Sequence, residues 1–433
     1  MISRDAIAAS LSDYETLIGE LPLIRRQFSV ADNVNYCFVG IRRSGKSYLM
    51  YQRYHDLLER GVSPDEMLYV SFEDERINGI TAQELNLLLE VKLEMTGGVK
   101  VKYVFLDEIQ NIDGWEHFAR RLADMKYSVC ITGSNAKMLS TDVASTLGGR
   151  FMVAAVYPYS FREYLAAAGV AFKGTFPVST PERAAVAAAF KKFMQYGGFP
   201  DVVDVAIKLD YLNNVYKAIF LGDIVRRHAI RDGGGVEVLL KKVAESVTKP
   251  VAVNRLKNVA ADAGHPMSPA TVVNYLDYMK EAFLLFSVAN AFGKLTEKLK
   301  TPKYYFMDTG LLATYPNRYD TALLENAVAL ELLRRYGPEN VMYYNDGRSE
   351  VDFYVPSGDL AIQVCWELRK TASTFERETE ALRRFAEFKP EARRLILTLS
   401  ESERLTVGGV EIEVMPAWRW MLRYLSRYFK KIG

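Results

Sequence analysis

Histidine and cysteine are scarce in this chain, with four and three residues among 433. Cys37, Cys130 and Cys365 lie far apart. They have neither the spacing of a metal site nor the density of a disulfide framework. Cys37 and Cys130 sit inside apolar runs and read as core residues. His55, His117, His228 and His265 form no close metal-binding pattern. An excess of one charge is also lacking. The formal net charge is +2, so bulk electrostatics dictates no partner, and any nucleic-acid surface has to be local. No run reaches the ~18 consecutive apolar residues of a transmembrane helix. The opening MISRDAIAASLSDYETLIGELPLIRRQF lacks the apolar core of a signal peptide. These absences lead to the expectation of a soluble, cytoplasmic protein without a membrane partner. A hydrophobic content of 49% and a charged content of 25% are ordinary for globular chains. At ~150 residues per domain, the length suggests about three domains.

Residues 40–47 read GIRRSGKS, which fits the P-loop pattern G-x-x-x-x-G-K-[ST]. Gly40 and Gly45 permit a tight turn whose N–H groups face phosphate oxygens. Between them lie Ile41, Arg42, Arg43 and Ser44. Two arginines are an unusual charge for such a loop, and they either meet phosphate or a partner chain or are simply solvated. Lys46 offers a point charge to the β- and γ-phosphates, and Ser47 offers a hydroxyl to Mg²⁺. Context supports the motif. VNYCFV upstream suits a buried strand. YLMYQRYHDLLERG downstream predicts a helix, with Leu49, Tyr54, Leu57 and Leu58 at helical spacing and Gly61 as its stop.

A second acidic site is needed, and VKYVFLDE (101–108) supplies it. A buried strand delivers Asp107 and Glu108 at its C-terminal end, the edge where open α/β sheets bind ligands. Asp107 is placed to hold the Mg²⁺ shell, and Glu108 to act as general base toward water. A third strand, in YSVCITGSN (127–135), carries Ser134 and Asn135 to the same edge, where a polar group can orient water or sense the γ-phosphate. In STLGGRF, Arg150 is a candidate to stabilise phosphoryl charge, in cis or on a neighbour's ATP; the alternative is a surface ion pair. With LYVSFED (68–74) as a further strand, the first ~150 residues alternate strand and helix, the pattern of a parallel α/β sheet.

The chain resembles a family of bacterial and archaeal AAA-type ATPases that carry a C-terminal restriction-endonuclease-like domain of unknown function. The matching stretches are GIRRSGKS, FLDEIQNIDGWE, ITGSN, LGGRF, VYPYSFREYL, YGGFPDVV, KYYFMDTGL, LLENAVALELLRR and EVDFYV, in matching order and spacing from about residue 35 to 365. The resemblance implies an additional-strand P-loop ATPase with ATP and Mg²⁺ as cofactors. Asp107 and Glu108 then form its second acidic motif, Asn135 its sensor, and Arg150 its arginine finger or sensor. The fold class expected is α/β. A parallel-sheet ATPase core with an N-terminal helical segment covers 1–165. A helical linker and winged-helix-like part covers 166–310. A degenerate restriction-endonuclease-like domain covers 311–433.

In the middle part, PERAAVAAAFKKFMQYGGF predicts a Pro-started helix ended by Gly197 and Gly198. Gly233 to Gly235 read as flexible punctuation. Three helices follow in 237–286, the last capped by Ser268 with Pro269 first inside, and FSVANAF and KYYFM are candidate wing strands. If this module reads DNA, Thr271 and Asn274 face base edges, while Arg255, Lys257, Lys294, Lys298, Lys300 and Lys303 take phosphates. A lid or a protein-interaction module is the alternative.

In the C-terminal part, TALLENAVALELLRRYG predicts a helix, and RSEVDFYV and AIQVCWEL predict strands paired through VPSGDL. The endonuclease-like arrangement matches Glu325 and Asp352 but then meets Gln363, Val364 and Cys365 where Glu-x-Lys is expected. Gln363 is a weaker Mg²⁺ ligand than a carboxylate, and Cys365 supplies no cation. Glu350, Glu367, Arg369 and Lys370 are candidates to compensate. The terminal AWRWMLRYLSRYFKKIG is amphipathic and basic; a helix packed on its own domain is the simpler reading.

The function expected is an ATPase whose nucleotide state drives or switches the winged-helix and nuclease-like modules. The alternatives are a nucleotide-gated DNA-binding protein with negligible turnover and a metal-dependent nuclease. Double-stranded DNA and a protein remain open as partners. A homo-oligomer follows if Arg150 acts in trans.

Overall fold

The computed structural model describes residues 2–134, 141–173, 176–293, 301–316 and 320–423. Asn135, Lys294, Lys298, Lys300 and the chain's last ten residues lie outside the described residues. The chain forms two compact units, residues 1–157 with 281–283, and residues 158–280 with 284–433.

In the first unit the predicted alternation builds a five-stranded sheet. Its strands are β1 (Asn35–Val39), β2 (Met67–Ser71), β3 (Tyr103–Asp107), β4 (Ser128–Gly133) and β5 (Phe151–Ala155). All neighbours are parallel, in the order β2-β3-β4-β1-β5. Strand β4 therefore separates the P-loop strand from the Asp107 strand, which is the additional strand expected. Helices cover both faces, so the strands are apolar almost throughout. Alternate residues enter two separate cores. Cys37, Val39, Leu106 and Ile131 belong to one, and Tyr36, Phe38, Phe105 and Cys130 to the other. Cys37 and Cys130 are core residues, and burial pushes both thiols up to about 12.

The second unit begins with helices. Thr180–Tyr196 carries a capping box, Ser179 with Glu182, and ends at Gly197, whose φ of 77° an L side chain rarely adopts. Helices Gly233–Glu245, Val253–Asp262 and Pro269–Glu281 follow. Here the expectation for Gly233–Gly235 needs correction. The three glycines form the first turn of a helix, because Asp232 caps it by accepting the Gly235 N–H at 3.0 Å.

The remaining strands form a mixed eight-stranded sheet, β12-β13-β11-β10-β9-β8-β6-β7. They are β6 (Leu285–Asn290), β7 (Lys303–Phe306), β8 (Met342–Asn345), β9 (Glu350–Val355), β10 (Leu360–Val364), β11 (Arg393–Thr398), β12 (Glu403–Val407) and β13 (Val410–Pro416). As expected, β9 and β10 pair antiparallel across the 356–358 turn. The candidate wing strands β6 and β7 do pair antiparallel. They are not a free-standing wing, however, because β6 also pairs in parallel with β8 and so joins the C-terminal sheet. Long-range parallel pairing of this kind leaves no local trace in a sequence. The described part of the terminal helix, Ala417–Arg423, is packed: Trp420 and Leu422 are buried, and the Arg335 guanidinium lies 4.3 Å from the Trp420 ring centre.

Candidate nucleotide site

Strand β1 ends at Gly40, and the chain turns sharply there. Val156 donates to the Val39 carbonyl at 2.7 Å, which draws the two backbones together. A Cβ on residue 40 would lie 2.1 Å from the Val156 oxygen, so only glycine fits. Gly45, with φ 92° and ψ 28°, caps the helix Lys46–Glu59 in a left-handed conformation. This combination leaves the N–H groups at the start of the helix free of intrahelical partners, the arrangement that receives anions. The loop is fastened from outside as well. The Arg26 guanidinium donates to the Ser44 carbonyl at 2.8 Å and to the Tyr157 carbonyl at 2.6 Å. The Arg26 backbone is itself held by the Gln52 side chain on the P-loop helix.

Lys46 is 4% exposed. Its ammonium lies 3.3–3.4 Å from the carbonyls of Gly40 and Ile41 and 3.4 Å from Glu108 Oε1. Asp107, also buried, collects three hydroxyl groups. Tyr69 donates at 2.7 Å, Thr132 donates to Oδ1, and Ser47 bonds to the same carboxylate. Burial and then the neighbouring Glu108 charge raise the Asp107 pKa, and these three bonds oppose the rise. Glu108 stands in a left-handed conformation, φ 51° and ψ 42°, which is costly for a residue with a side chain. Its N–H donates to Thr132 Oγ1 at 2.8 Å, and Gln110 donates to its carboxylate. Burial pushes the Glu108 pKa up. Lys46, the Gln110 bond and the Arg42 charge together outweigh that effect and hold it below the usual carboxylate value. Thr132 thus bridges both acidic residues.

Two hydroxyls at this site have no hydrogen-bond partner among the described residues. They are Ser44 Oγ in the loop and Ser134 Oγ just past β4, both buried. Buried hydroxyls are rarely left so. Together with the glycine cradle and the Ser47–Asp107 pair, they make a donor set that fits a phosphate chain and a hard cation.

A family model described as an AAA domain matches residues 33–165, and a model for a domain of unknown function (DUF8612) matches residues 187–322. The chain is 33% identical over 399 residues to the uncharacterized protein MJ1544 of Methanocaldococcus jannaschii, covering 89% of this chain and 87% of that one. It is 30% identical over 394 residues to an uncharacterized protein of Haemophilus influenzae, covering 88% and 92%. The chain belongs to one family with these two proteins and carries an AAA domain at residues 33–165. Among solved structures, a Walker-type ATPase of Pyrococcus abyssi matches with a TM-score of 0.39 and 16% identity, over 73% of this chain and 96% of that one.

Not every expected site residue joins this cluster at the C-terminal edge of the sheet. Gly40, Gly45, Lys46, Ser47, Asp107 and Glu108 converge there. Arg42 leans toward Glu73, 3.5 Å away. Arg150 does not join its own chain's site. It precedes β5, whose Phe151 is paired with Asn35 at the start of β1, so it lies at the opposite edge of the sheet. There it pairs with Asp124 and donates to the Gly148 carbonyl. The sequence reading missed Thr132 and Tyr69. Thr132 sits inside the quoted ITGSN, where a buried hydroxyl facing a strand-end Asp-Glu pair was a usable signal.

The second unit gathers its own cluster. Glu325 and Asp352 do meet, but Lys303 lies between them, 3.6 Å from Glu325 Oε1, 3.2 Å from Asp352 Oδ1 and 2.8 Å from Glu350 Oε1. Lys303 was expected to contact DNA phosphates. It is 0% exposed, so that expectation is corrected. Gln363 accepts from the Asp352 N–H at 2.7 Å and donates to Glu378 at 2.8 Å. Cys365 is a core residue, buried near Tyr344 and Leu382. Of the suggested compensators only Glu350 joins the cluster; Arg369 pairs with Glu403, and Glu367 and Lys370 are exposed.

Proposed function

We propose that the chain binds ATP at residues 40–47 and hydrolyses it with Mg²⁺. The observation that carries this reading is the Lys46–Glu108 approach at 3.4 Å, with Thr132 fixing Glu108 and Asp107 side by side. Lys46 turns from the loop carbonyls to the β/γ-phosphates. Ser47 and Asp107 hold Mg²⁺, which when bound withdraws charge from the phosphate oxygens. Glu108 orients a water and takes its proton as the water oxygen attacks the γ-phosphorus and the bond to the ADP oxygen breaks. Its lowered pKa keeps it ionised for that task. Ser44 supplies a further donor to the phosphates, and Asn135, following Ser134, is the proposed sensor. Arg150, remote from its own site, acts on the ATP of a neighbouring copy, which makes the working form a homo-oligomer.

Nucleotide state in the first unit then switches the second. Its winged-helix-like helices carry Asn274 exposed on the candidate recognition helix, which supports double-stranded DNA as the partner to test first. The test is steady-state ATP hydrolysis with and without DNA. Wild type is expected to turn over. Glu108→Gln is expected to bind ATP without turnover, and Lys46→Ala to lose binding. ATP affinity that survives Lys46→Ala overturns the site assignment. Binding without hydrolysis in the wild type, at any DNA concentration, favours the nucleotide-gated alternative.

A further inference from the structure

The restriction-endonuclease-like reading of the second unit implies Mg²⁺ between Glu325, Asp352 and residue 363. These residues floor a cleft of about 690 Å³. Their arrangement does not fit the ion. Mg²⁺ needs near-octahedral oxygens at about 2.0–2.1 Å, each with a lone pair free to point at it. Here an oxygen of each carboxylate already faces a hydrogen-bond donor. Glu325 Oε1 accepts from Tyr305 at 2.7 Å, and Asp352 Oδ2 from the Val364 N–H at 2.9 Å. Gln363 turns its oxygen to the Asp352 N–H and its nitrogen to Glu378 and the Glu350 carbonyl. Among the described residues, no group of three or more His, Cys, Asp or Glu is arranged to hold a metal. The centre of the cluster is taken by the Lys303 ammonium, delivered from β7, a different strand from the one on which a nuclease-type lysine is expected.

We infer that Lys303 is the resident cation of this site, standing where a divalent ion would stand and excluding it. A single ammonium serves carboxylates of two elements at once: it hydrogen-bonds Glu350 and Asp352 on β9 and lies in ion-pair range of Glu325 on the helix Asp320–Tyr336. A lysine buried without such partners would lose its charge, and without the lysine the carboxylates would hold their protons more tightly still. Burial followed by the Asp352 charge already raises Glu325 to about 8, which shows how little further negative charge the pocket tolerates. The cleft is then a metal-free site whose cation is the protein's own lysine. Any ligand it takes is recognised without a metal.

The test titrates Mn²⁺ into the nucleotide-free, full-length chain, reading free Mn²⁺ by electron paramagnetic resonance and stability by thermal unfolding. Any weak binding at Ser47 and Asp107 is common to all variants and cancels. Wild type and Asp352→Asn are expected to bind Mn²⁺ alike. Lys303→Met is expected to gain one site over wild type and to be stabilised by Mn²⁺, and adding Asp352→Asn to it removes that gain. Lys303→Met that folds and gains no site overturns the inference. So does a wild-type Mn²⁺ site that Asp352→Asn or Glu325→Gln abolishes, and this comparison holds even where Lys303→Met fails to fold. ATP hydrolysis is read separately, so its failure leaves this result unaffected.

Discussion

Replacing Thr132 with valine is the sharpest perturbation of the proposed ATP site, because it removes one oxygen atom and almost no volume. Thr132 is fully buried. Its hydroxyl donates to the Asp107 carboxylate and accepts the Glu108 N–H at 2.8 Å. A hydrogen bond to a charged group contributes about 1.5–3 kcal/mol, and an orphaned buried N–H costs about 1–3 kcal/mol. The new methyl recovers about 0.8 kcal/mol. The expected net loss in stability is therefore about 2–5 kcal/mol. The effect on turnover should exceed the effect on ATP binding. Glu108 is held at φ 51°, and the Thr132 bond is a named restraint on that left-handed backbone. Released from it, the carboxylate no longer faces the attacking water. We expect kcat to fall by at least about tenfold, equivalent to 1.4 kcal/mol, with the ATP dissociation constant changed much less. Thr132→Ser keeps the hydroxyl and should restore most of kcat. Urea unfolding and steady-state hydrolysis measure the two effects independently. Wild-type kcat in Thr132→Val, with less than about 0.5 kcal/mol of lost stability, would refute the bridging role.

Three further outcomes follow from the geometry. Glu108 has a pKa held below 4.5, so its contribution to stability is present above pH 4.5 and is lost as pH falls through the lowered value. Lys46→Met leaves burial, the largest influence, far less opposed; stability relative to wild type should then rise as pH is lowered from 7 to 5, and a flat difference in urea unfolding refutes the coupling. Arg26→Ala should weaken ATP binding about tenfold by releasing the Ser44 carbonyl, with Arg26→Lys recovering part of it, measured with a fluorescent nucleotide. Gly310→Ala places a Cβ 2.3 Å from the Tyr196 oxygen, so the helix Thr180–Tyr196 must move; a loss of about 3 kcal/mol is expected by chemical denaturation, and a neutral result means that the contact yields easily.

What the sequence made legible was local. Gly40, Gly45, Lys46 and Ser47 occupy eight consecutive residues, and their strand and helix flanks have clear periods. Asp107 and Glu108 were legible because a buried strand must end where its polar residues begin. The position of Arg150 was not. Its distance from the P-loop depends on the register of β5 against β1, where Asn35 aligns with Phe151. That parallel pairing joins residues more than 100 positions apart. A reading that places a residue just before a strand cannot say at which edge of the sheet that strand starts.

Lys303 shows the same limit and a way past it. In sequence it closes a basic run with Lys294, Lys298 and Lys300, so a solvated or phosphate-facing role was the natural reading. Yet it also opens KYYF, a strand buried at all four positions. A strand buried at every position admits a charge only where opposite charges meet it. The acids that meet Lys303 come from a helix and a strand more than 20 residues further on, and they were already in view as Glu325, Glu350 and Asp352. Taken together, a lysine at the head of an apolar strand and an excess of acids in a site that lacks its expected lysine point at each other. The missing cation of the Gln363–Cys365 stretch and the misplaced cation of β7 are one charge, supplied from a different strand. Substituting Cys365 with lysine should therefore not rebuild a metal site: Cys365 sits in the apolar core, and the position that a cation needs is already filled.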